Sequence, residues 1–474
     1  MLSQIVKKMR NLPAEKIHNN LIKTDKKIQT GMLKTFKLGG VHPAENKLSK
    51  DKSIGVLAIP KVASIPFSQH LGAPAKVLVN KGDKVRVGQL IAKGEAFISA
   101  NIHSSVSGKI ARIDEVIDTS GYKRPAVIIE VEGDEWEESI DRSKELKKEI
   151  RLGQKEIIQK INEMGVVGLG GATFPSHVKL MVPEGKKAEV LIINGVECEP
   201  YLTSDHRLMM EKGEEMLVGT QILMIALGVN KAMIGIENNK PDAISHLAEL
   251  AKNFSGISVH GLKVKYPQGA EKQLIKALVN REVPSGKLPI EVGTVVHNAG
   301  TAYSVYEAVQ KNKPLFERVV TITGKSVKNP GNFLVRIGTP VLDLIEAAGG
   351  LPEDTGKVIG GGPMMGKALI SADVPVVKGT SGILILREIE SGRKEVAHCI
   401  RCGKCITVCP MGLEPYLLEK LVINGNFEQT QKERILDCIE CGSCHFTCPS
   451  GRPLLDYIRY GKSRVSQMMR SKTS

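Results

Sequence analysis

Two cysteine runs near the C-terminal end carry the clearest chemistry in this sequence. Both have the spacing C-x2-C-x2-C-x3-C-P, which is the ligand pattern of proteins that hold two iron–sulfur cubes. In that pattern the first three thiolates of a run bind one cube, and the fourth, which precedes proline, binds the cube of the other run. The runs therefore predict two [4Fe–4S] clusters, with the ligand sets Cys399, Cys402, Cys405 and Cys448, and Cys438, Cys441, Cys444 and Cys409.

Zinc sites and disulfides also use cysteines, but both explain the two runs less well. A structural zinc site takes four ligands for each ion and has no third cysteine in step with a C-x2-C pair. Disulfides belong to oxidising compartments, whereas all but one of the 9 cysteines lie in these runs. Because iron–sulfur clusters pass one electron at a time, the runs indicate a protein that moves electrons.

Composition and charge narrow the function classes. The chain has 474 residues, enough for about three or four domains. Much of its net charge of +15 lies at the two ends, which suits an anionic membrane surface or an acidic protein partner, although simple solubility explains it equally well. Aromatic residues make up 4%, too few for the stacking platforms of nucleic-acid-binding proteins. No apolar run approaches the roughly 20 residues of a membrane span, and the absence of a signal-peptide core predicts a cytoplasmic location.

The N-terminal part predicts a tail followed by a strand-rich module. Residues 1–32 are polar and basic and are interpreted as a tail. Residues 33–130 alternate short strands with glycine turns, including strands on both sides of Gly82 and Asp83, and they resemble the barrel-sandwich fold of lipoyl and biotinyl domains. The segment 92–95 departs from the modified-lysine hairpin of those domains, so we expect a structural module.

The remaining chain predicts three further units. Residues 150–312 have apolar runs at 188–193 and 231–236 that predict buried strands, and helical patterns at 157–164, at 214–227 and from Pro241, so a largely parallel α/β sheet is expected. Residues 316–385 predict a β-grasp-like module with a flexible glycine loop at 360–366. The cysteine runs occupy residues 390–455, and a basic helix is expected over 456–474. The predicted fold class is a multidomain α/β and α+β chain.

Four loops of the α/β region have the residue types of a nucleotide site. Glycines at 165–171 would let backbone amides approach a phosphate, and Lys179 adds positive charge. Acidic and amide groups follow the strand that ends near residue 193, at the sheet edge where α/β proteins bind ligands. The other two loops contain Tyr266 and Asn298. Within these loops, Cys198 is predicted to be a packing residue, and His297 a structural histidine.

Taken together, these motifs resemble the family of C subunits of the Rnf electron-transport complex. The resemblance spans about residues 33–455, and it implies an FMN- and NAD(H)-binding α/β domain, a β-grasp SLBB module and a two-cluster ferredoxin domain. The motifs that carry it are Gly39-Gly-Val-His-Pro43, Gly170-Gly-Ala-Thr-Phe-Pro175, Glu197-Cys-Glu-Pro-Tyr201, Gly360-Gly-Gly-Pro-Met-Met-Gly366 and both cysteine runs.

The α/β region is in turn similar to the flavoprotein subunit of respiratory complex I. That similarity implies flavin-site positions in all four loops. They are Gly168, Gly170, Gly171, Lys179, Asn194, Glu197, Glu199, Tyr266, Gly269, Glu271, Asn298 and Thr301. Three positions depart from the complex I pattern: Val196 replaces an aspartate, Ala270 a glutamate and His297 an asparagine.

The family resemblance implies a peripheral subunit on the cytoplasmic side of the inner membrane. It would exchange electrons between NAD(H) and the Rnf complex, coupling ferredoxin oxidation and NAD+ reduction to ion translocation. The implied partners are the membrane subunits and the ferredoxin-like B subunit. Two alternatives stay open: a soluble flavo-iron–sulfur reductase of the cobalamin reductase type, and a scaffold that has lost its flavin, which the three departures motivate.

Overall fold

The computed structural model of the protein describes residues 33–473, and the predicted basic tail over residues 1–32 lies outside them. Within the described part, strands dominate the N-terminal third. They are β1 (Ile54–Val56), β2 (Val62–Pro66), β3 (Lys76–Val77), β4 (Lys84–Val85), β5 (Leu90–Lys93), β6 (Ile102–His103), β7 (Gly108–Ile117) and β8 (Lys123–Val131).

These strands form a barrel sandwich. One sheet has the order β2-β8-β7-β4 and the other the order β3-β5-β6, and Ile65, Ile91 and Ile129 lie in the apolar core between them. Strands were predicted on both sides of Gly82, and strands are present there, but they belong to different sheets. β3 pairs with β5 and β4 pairs with β7, because a sandwich satisfies strand edges across its layers rather than within each local turn.

The middle of the chain alternates helices and strands. The elements are α1 (Gln154–Glu163), α2 (Ser176–Leu180), β9 (Val190–Asn194), α3 (Ser204–Glu211), α4 (Gly213–Leu227), β10 (Ala232–Glu237), α5 (Pro241–Ala251), β11 (Ile257–Leu262), α6 (Glu271–Val279), a short 3-10 helix (Pro289–Val292), β12 (Thr294–Asn298) and α7 (Ala299–Gln310).

The four strands of this region form a parallel sheet of order β11-β10-β9-β12, which confirms the predicted sheet type. β9 is an almost uninterrupted apolar run because both faces of the sheet are covered. Helix α4 is buried nearly all round and packs on α7. Gly219 permits this packing, since a Cβ at that position would lie 1.9 Å from the Ala302 carbonyl oxygen.

The next region contains five strands and two helices. They are β13 (Glu317–Thr323), β14 (Gly331–Arg336), α8 (Val341–Ala347), β15 (Thr355–Gly360), β16 (Lys367–Ala368), β17 (Gly382–Arg387) and α9 (Glu388–Ser391). With β1 these strands form a six-stranded sheet of order β1-β14-β13-β17-β15-β16. Strand β1 comes from the N-terminal part of the chain and pairs in parallel with β14.

The C-terminal region is helical. Its elements are α10 (Lys404–Thr407), α11 (Pro415–Ile423), α12 (Phe427–Lys432), a short 3-10 helix (Ile435–Asp437), α13 (Ser443–Thr447) and α14 (Leu454–Thr473). Cysteines of both runs lie in its core with Leu418 and Ile458. Between residues 33 and 473, no helix combines the length and the apolar character needed to cross a membrane.

Candidate functional site

The carboxyl edge of the parallel sheet brings two of the predicted loops together. β9 ends at Asn194 and β12 at Asn298, and these two residues are partners in the strand register. The Asn298 side chain caps α7 by accepting a hydrogen bond from the Thr301 amide at 3.3 Å. The Thr301 hydroxyl in turn accepts a hydrogen bond from the backbone amide of Leu169 at 2.9 Å. Leu169 lies in loop 165–171, which we term the glycine loop. The loop that contains Tyr266 and Gly269 contacts the same sheet edge, because the side-chain amide of Asn194 donates to the Gly269 carbonyl at 2.8 Å.

The glycine loop lies over this edge. Gly170 is so close to Asn298 that a Cβ would meet the Asn298 Cβ at 3.3 Å. Gly171 has a φ of +114° and faces open space, with no atom within 4 Å of the Cβ position. Gly168 donates its amide to the Phe174 carbonyl at 2.9 Å, which closes the loop. The loop therefore presents bare backbone to the volume above the sheet edge, as a phosphate or ring ligand requires.

Positive charge and unpaired polar atoms lie on helix α2 and strand β12. Lys179 donates to the Glu271 carboxylate at 2.8 Å and to the Val296 carbonyl at 3.0 Å. The neighbouring His297 is buried, and burial lowers its pKa to about 3, so the imidazole is neutral. Its Nε2 and the Ser176 hydroxyl are buried without a hydrogen-bond partner. Buried polar atoms are rarely left unpaired, so these two indicate that a ligand completes the site.

The loop that follows β9, which contains Glu197 and Glu199 and which we term the acidic loop, binds other parts of the protein through its carboxylates. The expected role of these two residues was contact with the flavin. Glu197 accepts hydrogen bonds from the amides of Asp205 and His206 at 2.8 and 3.2 Å, and so holds the start of α3. Glu199 accepts from the amides of Met364 and Met365 at 3.1 and 2.8 Å. Burial raises the pKa of Glu199 to about 7. Loop 360–366, which was predicted to be flexible, is thus held by a carboxylate of the α/β domain.

Tyr266 connects the sheet edge to the second cysteine run. Its hydroxyl donates to the Cys441 carbonyl at 2.8 Å. Nearby, Cys198 accepts a hydrogen bond from the Gly269 amide at 3.4 Å, and burial raises the pKa of its thiol. A buried thiol with a raised pKa is a poor nucleophile, which agrees with the packing role predicted for Cys198.

Four of the predicted cluster ligands line one small apolar cavity, which we term the buried cysteine site. Cys441 and Cys444 are 7% and 8% exposed. Burial raises the pKa of the Cys438 thiol to about 12, so the thiolate form needs the compensation that a metal cluster supplies. Leu413, Leu418 and Ile458 also line the cavity. The four cysteines of the site are Cys409, Cys438, Cys441 and Cys444.

The other four predicted ligands belong to what we term the exposed cysteine site: Cys399, Cys402, Cys405 and Cys448. Cys399 and Cys402 are exposed to solvent, and Cys405 and Cys448 are half-buried. Burial first, and then the charges of Cys399 and Cys448 nearby, raise the pKa of Cys405, which places these three thiols in one neighbourhood. Cys402 has no described contact with them. Across residues 33–473, no three His, Cys, Asp or Glu side chains converge tightly enough to hold a single metal ion.

Three basic residues that support these loops were missed by sequence reasoning. Lys47 donates to the carbonyls of Glu197, Glu199 and Leu202 at 2.8, 2.9 and 2.7 Å. Lys378 donates to the Gly165 carbonyl at 2.7 Å. Arg318 donates to the Leu169 carbonyl at 3.4 Å. Only Lys47 had a signal, since it follows the Gly39–Pro43 motif; single basic residues otherwise carry no spacing pattern.

Comparisons with protein families match each region separately. Residues 34–134 match the RnfC barrel sandwich hybrid domain, and residues 161–307 match the Nuo51 FMN-binding domain. Residues 319–368 match the SLBB domain, and residues 398–452 match the 4Fe-4S dicluster domain.

Curated relatives match almost the whole chain. The C subunit of the proton-translocating ferredoxin:NAD(+) oxidoreductase complex of Clostridium ljungdahlii is 49% identical, over 91% of this chain and 94% of the relative. The Na(+)-translocating counterpart of Acetobacterium woodii is 43% identical, over 91% and 97%. Among solved structures, an NAD+-reducing [NiFe]-hydrogenase aligns with 58% of this chain and 54% of its own, at 19% identity and a TM-score of 0.44.

Proposed function

The chain belongs to the family of C subunits of the ion-translocating ferredoxin:NAD(+) oxidoreductase (Rnf) complexes, and we propose that it carries electrons between a flavin at the carboxyl sheet edge and the exposed cysteine site by way of the buried cysteine site. It is an electron-transfer oxidoreductase subunit with an FMN-binding domain, two [4Fe–4S] clusters and NAD(H) as a substrate. The observation that carries the proposed route is the hydrogen bond from Tyr266 to the Cys441 carbonyl, which joins a flavin loop to a cluster ligand.

The residues at the sheet edge suit FMN. Lys179 offers a cation, and His297 Nε2 and the Ser176 hydroxyl offer two unsatisfied polar groups, for the FMN phosphate. The open space at the Cβ position of Gly171 provides room for the ring system. Asn194, Gly269, Asn298 and Thr301 hold the loops to one another, and Gly168 closes the glycine loop. This fit speaks against a scaffold that has lost its flavin.

The remaining predicted residues act by positioning. Glu197 fixes α3, Glu199 fixes loop 360–366, Glu271 balances the charge of Lys179, and Tyr266 reaches the buried cysteine site. When bound, FMN would take the two electrons of a hydride from NADH and release them singly, or in reverse combine two single electrons and a proton into a hydride for NAD+. The thiolates of the two cysteine sites would hold the one-electron carriers, assigned as Cys399, Cys402, Cys405 and Cys448, and as Cys438, Cys441, Cys444 and Cys409.

The exposed cysteine site is proposed as the place where a partner protein docks and exchanges electrons. Ile400 and Phe446, in the two cysteine runs, are 67% and 53% exposed. Arg401 and Lys404, also exposed, lie between the cysteines of the first run. An apolar patch with a basic rim suits an acidic electron-transfer protein, and the ferredoxin-like B subunit of the complex is the proposed partner.

The proposed location is the cytoplasmic face of the membrane, next to the membrane subunits. The support is the cysteine chemistry, since all nine thiols are unpaired and exposed cluster ligands survive in a reducing compartment. The proposed physiological direction is from ferredoxin to NAD+. The curated relatives named above are C subunits of ion-translocating complexes, so the alternative of a cobalamin reductase has no support among them.

Anaerobic purification provides the test of this function. Protein reconstituted with FMN should contain about eight irons per chain, as two cubes require, and NADH should bleach the flavin absorbance and reduce both clusters. A chain with this iron content that binds no FMN and does not respond to NADH would contradict the proposed function.

A further inference from the structure

One short segment touches both halves of the proposed electron route. Residues 39–47, which we term the strap, precede the first strand, β1, in the sequence. The strap begins against the first cysteine run, where the Gly40 amide donates to the Val408 carbonyl at 2.9 Å. Gly39 has a φ of +66°, and a Cβ on it would lie 2.6 Å from the carbonyl carbon and oxygen of Cys409. The strap therefore rests directly on the backbone of a buried-site ligand, and a side chain as small as a methyl group does not fit.

The strap then pairs with the residue that reaches the second cysteine run. Val41 and Tyr266 exchange two backbone hydrogen bonds, with lengths of 2.8 and 2.9 Å. The Tyr266 hydroxyl ends on the Cys441 carbonyl. The side chains of Val41, Tyr266 and Cys441 form one buried apolar cluster. Through this pairing the strap controls the position of a second buried-site ligand.

The far end of the strap holds the acidic loop of the sheet edge. Lys47 donates its three hydrogen bonds to carbonyl oxygens of residues 197, 199 and 202, and the Glu45 carbonyl accepts from the Tyr201 amide at 2.8 Å. Burial, followed by repulsion from Lys240, lowers the pKa of Lys47 to about 8. A buried ammonium group with all three donors used is a fixed anchor, since any shift of the loop leaves a donor unpaired.

From these contacts we propose that the strap is a positioning segment, which fixes the buried cysteine site relative to the flavin loops and so sets the rate and potential of electron transfer between them. Nothing in the strap reacts. Its residues act through Cys409, Cys441 and the acidic loop, so Gly39, Val41 and Lys47 are positioning residues. The inference rests on the proposed function, because it assumes that electrons pass between those two places.

Gly39→Ala is the direct test, and Gly425→Ala is its matched control. Gly425 has a φ of +68°, close to that of Gly39, and lies between α11 and α12 in the same region, but nothing lies within 4 Å of its Cβ position. Both variants carry the same backbone strain, and only Gly39→Ala collides with Cys409. The reduction potential and electron paramagnetic resonance signal of each cluster are measured in both holoproteins, together with FMN content and the rate of cluster reduction by NADH.

The expected result is a shifted signal and potential for the buried cluster alone in Gly39→Ala. Its reduction by NADH should be at least about tenfold slower, in the range that ångström-scale misplacement produces, with unchanged FMN content and flavin bleaching. Gly425→Ala should behave as the wild type. Equal cluster signals and equal rates in the two variants would overturn the positioning role. A wild-type protein whose clusters do not respond to NADH would instead refute the proposed function.

A gentler pair covers the case in which Gly39→Ala does not fold. Val41→Ala removes packing against Tyr266 and Cys441 without a collision, and Val79→Ala removes a valine of similar exposure, 8% against 7%, from the core of the barrel sandwich. Val41→Ala should shift the potential of the buried cluster and slow its reduction, and Val79→Ala should change neither. The same potential and rate in both valine variants would overturn the proposal.

Discussion

The two cysteine sites share one sequence pattern but lie in very different surroundings. In the buried cysteine site three of the four thiols are buried, and the surroundings include Tyr266 and Met364 from other domains. In the exposed cysteine site none of the four is buried, and apolar residues such as Ile400 face solvent beside it. Spacing therefore determines which thiolates can share a cluster, whereas the domains around them determine which cysteine site is buried and which is exposed to solvent.

The packing around the second run explains this difference. The Gly442 Cβ position lies 2.7 Å from the Met364 carbonyl, so loop 360–366 lies directly on the run. Lys462 of α14 donates to the Cys438 carbonyl at 2.7 Å, and Arg459 to the Met365 carbonyl at 3.0 Å. Solvent exposure and nearby hydrogen bonds are levers that tune cluster potentials, so the two clusters should differ in potential despite identical ligands.

Removal of one ligand from each site gives the largest expected contrast. Cys441→Ala should lose the buried cluster, about four of eight irons, and NADH should then fail to reduce the exposed cluster because its supply route is broken. Cys402→Ala should lose the exposed cluster and keep NADH-driven reduction of the buried one. Iron analysis and electron paramagnetic resonance measure both. Reduction of the exposed cluster by NADH in Cys441→Ala would show that the sites are not in series.

The next largest difference between the two cysteine sites should be the rate at which a chelator or oxygen destroys each cluster. The exposed cluster should be lost at least about tenfold faster, because the buried site must first open, and an opening cost of only about 1.4 kcal/mol slows the loss that much. The decay of each cluster signal after addition of a chelator measures the two rates. Equal rates would mean that burial of Cys441 and Cys444 does not protect their cluster.

Ionic strength should change the rate of electron transfer to a partner protein but not the rate of electron transfer within the chain. Raising the salt concentration from about 0.01 M to 0.15 M shortens the Debye length from about 30 to 8 Å, so reduction of an acidic ferredoxin-type acceptor should slow severalfold. NADH-driven reduction of the buried cluster within the chain should not change. Arg401→Gln with Lys404→Gln should weaken the salt dependence. An acceptor rate that is independent of salt would contradict docking at the basic rim.

Removal of the Tyr266 hydroxyl should affect one cluster only. Tyr266→Phe deletes the hydrogen bond to the Cys441 carbonyl and leaves that buried acceptor unpaired, at a cost of about 1 kcal/mol in the free energy of unfolding. If that energy differed fully between oxidised and reduced states, it would shift the potential of the buried cluster by about 40 mV, which is an upper bound. Redox titration checks this, and the exposed cluster is the internal control. A shift at the exposed cluster alone would contradict the assignment.

The last prediction concerns folding stability rather than electron transfer. Glu199 holds loop 360–366 through the amides of Met364 and Met365. Burial keeps its pKa at about 7 in the folded chain, above the ordinary 4.5. The folded state thus binds the proton more tightly, and the stability gained below pH 4.5 is lost as the pH rises through 7, by at most about 3 kcal/mol. Glu199→Gln, which does not titrate, should lose less stability between pH 5.5 and pH 7.5 in denaturant unfolding. Parallel stability profiles would contradict a buried, protonated Glu199.

Local patterns predicted much of this fold. Strand β9 and helix α4 lie within a few residues of their predicted bounds, because a buried strand and a buried helix are continuous apolar runs. Two features could not be read locally. β1 joins a sheet whose other strands lie between residues 317 and 387, and the long β7–β8 hairpin joins β2 and β4 in one sheet of the sandwich.

The site shows the same division. The cysteine spacing predicted that Cys409 belongs with the second run, and Cys409 does line one cavity with Cys438, Cys441 and Cys444. The spacing contained no information on burial, which depends on Tyr266, Met364 and α14 from elsewhere in the chain. The glycine loop and Lys179 were found by composition, whereas Lys47 was not, since its role exists only after residues 39–47 fold across the acidic loop.

The order in which the clusters are reduced tests the central claim most directly. Anaerobic, FMN-reconstituted protein would be mixed with NADH and frozen at intervals, and the two cluster signals followed by electron paramagnetic resonance, with Cys402→Ala and Cys441→Ala identifying each signal. The buried cluster should be reduced first and the exposed cluster after it. Reduction of the exposed cluster first, or flavin bleaching with neither cluster reduced, would contradict the route from the sheet edge through the buried cysteine site.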